Sequence, residues 1–178
     1  ITAQARRMFG EAMRFEDGNE VRIPPGDGKP RLLYLHVPFC EQLCPYCSFN
    51  RVVFNDALCR DYFRALRGEI LLYQQAGYEF GGIYVGGGTP TILIDELRET
   101  LTLARQCFPI REISVETNPN HLTEANLEIL KSSGVSRLSV GIQSFDDGLL
   151  RDMDRYDKYG SGAVIAGQLE RARGTFDT

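Results

Sequence analysis

From Arg31 onward, short apolar runs alternate with longer stretches in which apolar positions recur at helical spacing. Runs at 32–37, 82–85, 112–116 and 136–142 have the character of strands, whereas 55–76, 94–107 and 124–133 predict helices, with further helical pieces near 146–155 and 161–173. Four successive βα units make a parallel sheet the economical fold. Local signals support the boundaries: Thr123 stands at an N-cap position for the helix over 124–133, Leu122 and Leu127 occupy staple positions, and Gly134 follows its end. Ahead of the alternation, residues 3–15 predict a short helix. The run Pro24-Pro25-Gly26-Asp27-Gly28-Lys29-Pro30 reads as a linker, because prolines and glycines deny both helix and ladder. Residues 1–30 are therefore an extension and linker, and 31–178 the core domain.

Alternation within the strands sorts residues by face. Leu33, Leu35 and Val37, Ile83 and Val85, Ile113 and Val115, and Leu138, Val140 and Ile142 point one way, towards the helices. The other face presents Tyr34, His36, Tyr84, Gly86, Ser114, Glu116, Arg137, Ser139, Gly141 and Gln143. Parallel strands buried on both faces read as continuously apolar. A polar inner face instead predicts an α/β fold with a barrel-like sheet whose interior holds a polar ligand. The polar features also gather at the same end of each strand: Cys40 follows the first, Gly86-Gly87-Gly88-Thr89 the second, Glu116 ends the third and Gln143 the fourth. Carboxyl ends of parallel strands form one face, where ligands bind.

Composition narrows the partner. With 178 residues, a net charge of −4 and a sequence pI near 5.3, the chain has no electrostatic attraction to nucleic acid or an anionic membrane, so a small molecule is expected. Five cysteines with no export signal do not form an even disulfide framework, which points to a reducing, cytoplasmic setting. No apolar run approaches the roughly 20 residues of a membrane span. The chain begins at Ile1 and stops at Thr178 after a helical stretch with no strand following, so it reads as a fragment.

Cys40, Cys44 and Cys47 form a CxxxCxxC pattern directly after the first strand. Three thiolates can hold a [4Fe–4S] cluster and leave its fourth iron open, since closed cluster and structural zinc sites both use four ligands. A zinc site with His36 as fourth ligand is the alternative. The glycine run could be only a tight turn. Glu116 could be a paired buried carboxylate and Gln143 a core hydrogen-bond bridge. The charged residues Arg151, Asp152, Asp154, Arg155, Asp157 and Lys158 read as a solvated helix face. Cys59 and Cys107 read as small buried hydrophobes, and His121 as structural.

The stretches Tyr-Leu-His-Val-Pro-Phe-Cys, CxxxCPYC, Gly-Gly-Gly-Thr-Pro-Thr, Val-Glu-Thr-Asn-Pro and Ser-Val-Gly-Ile-Gln-Ser-Phe occur in that order between Arg31 and Lys158. In these the chain resembles the radical S-adenosylmethionine (SAM) enzymes, above all the oxygen-independent coproporphyrinogen III oxidase group with its HemN-type and HemW-type members. The resemblance implies a partial (β/α) TIM-like barrel, truncated after about four βα units. It further implies that SAM binds the open iron and that the reduced cluster cleaves it to methionine and a 5′-deoxyadenosyl radical, which takes a hydrogen atom from a porphyrin-type substrate. An external donor of flavodoxin or ferredoxin type would supply the electron. By the same resemblance Tyr46 contacts adenine, Tyr34 lies near the methionine end of SAM, and Gly87, Gly88 and Thr89 line it closely. Glu116 would accept from the ribose, while Gln143 and Arg155 would touch a second SAM or the neighbouring substrate space. His36 shares the inward face with Tyr34 and could assist a porphyrin or a proton.

One position departs from the HemN pattern. Those decarboxylases carry a further cysteine two residues after the triad, where this chain has Phe49. The loop is more similar to HemW-type proteins, which are associated with binding and delivering haem. The stretch from Met153 to Gly162 follows neither pattern strictly and is similar to haem-utilisation relatives. Both a catalyst and a haem carrier therefore stand as expectations.

Overall fold

The computed structural model describes residues 23–177, so the helix expected over 3–15 lies outside the described residues. Four parallel strands form the main sheet in the order β1 (Pro30–Val37), β4 (Glu79–Gly87), β5 (Glu112–Thr117), β6 (Arg137–Val140). Helices α1 (Asp56–Gln75), α2 (Ile94–Cys107) and α3 (Glu124–Ser132) provide the crossovers. A two-residue parallel pair, β2 (Phe39–Cys40) with β3 (Val52–Val53), stands apart from the main sheet. After β6 come α4 (Asp147–Asp152), α5 (Tyr156–Tyr159) and α6 (Gly162–Ala172). Among the described residues no helix is long and apolar enough to cross a membrane.

The strand alternation builds the core as expected on three strands. Leu33, Leu35 and Val37, Ile83 and Val85, and Ile113 and Val115 are buried against Phe63, Leu66 and Ile70 of α1 and Leu97, Leu101 and Ala104 of α2. On α1 the buried positions Cys59, Phe63, Leu66 and Ile70 follow helical spacing, so Cys59 is the small core hydrophobe its setting implied. The helix opens at Asn55, whose extended backbone lets its side chain accept the Leu58 N–H at 3.0 Å. Thr123 caps α3 in the same way, and its staple pair Leu122 and Leu127 is buried. On β6 the pattern weakens. Leu138 and Val140 are only half-buried and line an open groove with Phe145, Leu169 and Phe176.

The differences from the sequence reading have local causes. β4 starts at Glu79, not 82, because Gly81 and Gly82 pass through a register shift opposite Arg31 and Leu32, where a side chain on Gly82 would press on Leu32. β6 ends at Val140, not 142. The Gly141 N–H still reaches Thr117 O at 2.9 Å, but its carbonyl is taken by the Arg155 guanidinium, and Gln143 sits at φ 69. The helix expected over 146–155 breaks after Asp152 because Asp154 adopts φ 54, a left-handed conformation that Asp tolerates. That break turns the next residue inward. The solvated face expected for 151–158 is accordingly corrected at two positions: Arg155 is 3% exposed and the Lys158 side chain 14%.

Replacing Phe63 by Ala should lower unfolding free energy by about 3–5 kcal/mol through lost burial and a residual cavity. Asn55→Ala should cost only about 1 kcal/mol, the loss of one cap. Denaturant titration of both variants checks the ratio.

Candidate functional site

The cysteine loop is pinned at both ends before any ligand is considered. Val52 N–H donates to Pro38 O at 2.9 Å and Phe54 N–H to Cys40 O at 2.8 Å, so the chain returns to the point where it left the sheet. His36 secures the far end: its Nε2 lies 3.0 Å from Asn50 O and its Nδ1 3.1 Å from the Tyr34 hydroxyl. A carbonyl only accepts, so Nε2 carries a proton towards Asn50 O, while between Nδ1 and the Tyr34 hydroxyl either atom can donate. With both nitrogens engaged, His36 is not free to be a fourth metal ligand. Within the loop, Arg51 Nη2 donates to Cys44 O at 2.6 Å and Cys47 O at 2.8 Å, and Cys47 N–H closes the turn to Cys44 O at 3.2 Å.

The glycine run meets this loop edge-on. Gly88 N–H donates to Val37 O at 2.7 Å and Thr89 N–H to Phe39 O at 2.8 Å. A Cβ on Gly88 would lie 2.6 Å from Phe39 O, and Gly87 sits at φ 119, so both positions require glycine. The buried Thr89 hydroxyl accepts from Asn118 Nδ2 at 2.9 Å, which directs its own proton towards Cys40 Sγ, 3.8 Å away. Burial pushes the Cys40 thiol up, while Thr89 and the Arg51 charge act in the opposite sense. Glu116 accepts from the Tyr84 hydroxyl at 2.6 Å and from Gly87 N–H at 3.2 Å. The hydrogen bond to that carboxylate, with burial and its charge, pushes Tyr84 up to about 12.

A third wall comes from the far end of the chain. Arg155 donates to Gly141 O and to Tyr46 Oη at 3.1 Å, reaches Cys44 Sγ at 3.7 Å, and lies over the Tyr159 ring, 4.2 Å from its centroid. Its Nε is buried without a partner. Beside it Lys158 pairs with Glu41 at 2.8 Å. Burial pulls this ammonium down, but the hydrogen bond and charge of Glu41 outweigh it and hold it up. Glu41 also receives Asn120 Nδ2 at 3.1 Å and faces His121 Nε2 at 3.4 Å, while His121 Nδ1 meets Thr91 Oγ1 at 2.7 Å. His121 is thus a structural link, as the sequence suggested.

These walls enclose a cavity of about 320 Å³ at the carboxyl end of the sheet, within the range of small-molecule sites. Cys40, Cys44, Cys47 and Tyr46 line it from the loop, Gly87, Gly88 and Thr89 from β4, and Glu116, Gln143 and Arg155 from the later elements. Tyr34 and His36 do not line it. They lie beside it on the inner sheet face, where Tyr34 is 53% exposed and stacks on Tyr84 at 6.0 Å. Among the described residues no three His, Cys, Asp or Glu side chains converge as a single-ion site requires. Three cysteines line one cavity and could hold a polynuclear group, in which each thiolate sits on a separate metal atom. Sequence reasoning passed over Arg51, Asn118, Glu41 and Tyr159. A charged residue closing a cysteine loop was the one available signal for Arg51; the others join the site only through tertiary packing.

Comparison with known proteins gives a consistent answer. Residues 34–160 match the Radical SAM superfamily. The chain is 39% identical over 153 residues to an oxygen-independent coproporphyrinogen III oxidase of Bradyrhizobium diazoefficiens, covering 82% of this chain and 34% of that protein. It is 35% identical over 147 residues to the heme chaperone HemW of Bacillus subtilis, covering 79% and 38%. The solved structure of Escherichia coli HemN, a radical SAM coproporphyrinogen III oxidase, superposes with a TM-score of 0.72 at 31% identity, covering 84% of this chain and 35% of that one. The chain therefore spans about a third of the length of these relatives. The fold is the partial, TIM-like barrel expected from the sequence.

Neutral Tyr84 is held by Glu116 more tightly in the folded chain than in the unfolded one. Its contribution to stability is full below pH 10 and is lost as pH rises through about 12. The tyrosinate difference spectrum between the parent and Tyr84→Phe should titrate near 12, and in a Glu116→Gln background it should fall back towards 10.

Proposed function

The chain belongs to the radical SAM superfamily, and on that premise we propose that it binds a [4Fe–4S] cluster through Cys40, Cys44 and Cys47, with SAM beside it, and modifies a porphyrin-type substrate. The observation that carries this reading is convergence: the three cysteines, the glycine edge and Glu116 line one cavity. The donor set fits the group, since three thiols and no further cysteine line it, which leaves one metal position for a small ligand. When bound, the cluster and SAM supply one-electron reduction of the sulfonium, giving methionine and a 5′-deoxyadenosyl radical that abstracts hydrogen.

The protein's part is orientation and exclusion of water. Glu116 is fixed by Tyr84 and Gly87 through one lone pair on each oxygen, which leaves acceptor capacity for ribose hydroxyls. Gly87 and Gly88 present bare backbone at the cavity wall. Tyr46, steadied by Arg155, offers a ring face to adenine. Arg155, with its unpartnered Nε, and Gln143 would take a carboxylate of a second SAM or of the substrate. Tyr34 and His36 hold a proton between Oη and Nδ1 on the inner face, beside the space a porphyrin would fill. Electrons would come from a small flavin or iron–sulfur donor.

A second reading rests on Phe49, which is 71% exposed and lines the same cavity. An exposed aromatic ring there suits haem docking, so a carrier related to the HemW chaperones is the alternative.

The test uses the full-length protein, reconstituted with iron and sulfide, then given dithionite and SAM. The proposal expects 5′-deoxyadenosine and methionine, and their loss in Cys40→Ala, Cys44→Ala and Cys47→Ala. An intact cluster that yields none removes the catalytic reading. Haem titration then separates the rival: a stable complex without turnover supports the carrier, no binding removes it, and zinc in place of iron and sulfide removes both.

A further inference from the structure

We propose that Arg51 is the positioning residue of the cysteine loop, setting the Cys44–Cys47 turn in advance and favouring the reduced state of whatever cluster the three thiolates hold. The proposal deepens the cluster reading and rests on it.

Three observations carry it. One guanidinium nitrogen, Nη2, donates to both Cys44 O at 2.6 Å and Cys47 O at 2.8 Å, so a single group fixes the separation of two cysteines. The backbone next to Arg51 is itself tied to the third: Val52 and Val53 pair with Phe39 and Cys40. All three cysteines are thereby referenced to one residue, two through its side chain and the third through the adjoining backbone. The third observation is electrostatic. Arg51 lines the cavity, and its two strong hydrogen bonds go to neutral carbonyls, which do not neutralise its charge.

The chemistry follows directly. A cluster gains one negative charge on reduction, and a fixed cation beside it stabilises that form, which raises the potential. Glutamine keeps polar atoms but no charge. Lysine keeps the charge and enough N–H groups to donate twice, on a shorter and non-planar head.

The experiment compares parent, Arg51→Gln and Arg51→Lys full-length protein, each reconstituted with iron and sulfide. It reads bound iron and sulfide, circular dichroism and the cluster midpoint from a reductive titration followed by EPR. For Arg51→Gln the reduced-to-oxidised ratio at a fixed potential should fall by roughly tenfold, which is about 59 mV for one electron. Arg51→Lys should stay within about twofold of the parent ratio, the residual reflecting its shorter reach. Loss of cluster from Arg51→Gln, or from both variants, with native circular dichroism also supports the proposal. Two variants matching the parent in metal content and midpoint overturn it. So does collapse of the fold in both, which would mark Arg51 as an ordinary structural residue. A parent that takes up no iron and sulfide sinks the cluster reading itself, which is a separate and recognisable outcome.

Discussion

The close approach between the end of β4 and the chain leaving β1 governs the site. Two backbone hydrogen bonds, from Gly88 to Val37 and from Thr89 to Phe39, extend the ladder past the last regular residue of β1. They form only because Gly88 has no side chain to strike Phe39 O. This contact carries the cysteine loop onto the carboxyl edge of the sheet and brings Cys40 beside Thr89. It also aims the Gly87 N–H at Glu116. Gly87 and Gly88 are therefore a structural requirement of the scaffold as well as an open wall, and the tight-turn and ligand-lining interpretations describe the same geometry.

Much of this was legible in the sequence. Period-two alternation on β1, β4 and β5 identified the core face, because each of those strands has one side sealed by helices. The cap at Thr123 and the helix over 94–107 follow from local chemistry alone. The gathering of polar residues at the strand ends translated directly into Cys40, Gly87, Gly88, Thr89, Glu116 and Gln143 around one cavity. The parts that were not legible depend on partners distant in the chain. β2 and β3 are two residues each, too short to have a period. The inward turn of Arg155 depends on one left-handed aspartate, in a run whose composition otherwise matches a solvated helix.

The electrostatics of the loop divide into two kinds of support. Arg51 acts from within, on carbonyls of the loop's own backbone. Arg155 and Lys158 act from outside, sharing the Tyr159 ring at 4.2 and 5.1 Å and reaching Cys44 and Glu41 respectively. A partly buried cation needs such company, since an aromatic face, a carbonyl and a carboxylate together replace the water it gives up. Two positive groups, one at the N-cap of α5 and one within it, thereby hold an otherwise thin loop to the body of the domain.

That external clamp has a consequence for the order in which the molecule comes into being. Arg155 touches Cys44 across 111 positions of sequence. At a synthesis rate of about 5–20 residues per second, a ribosome exposes the cysteines for several seconds before their covering residues exist. During that interval Gly88 and Thr89 can already reach the loop, but the wall made by Arg155 and Tyr159 is missing. In the finished protein Cys44 and Cys47 keep partial exposure on the cavity wall, so the clamp narrows the approach to them without sealing it.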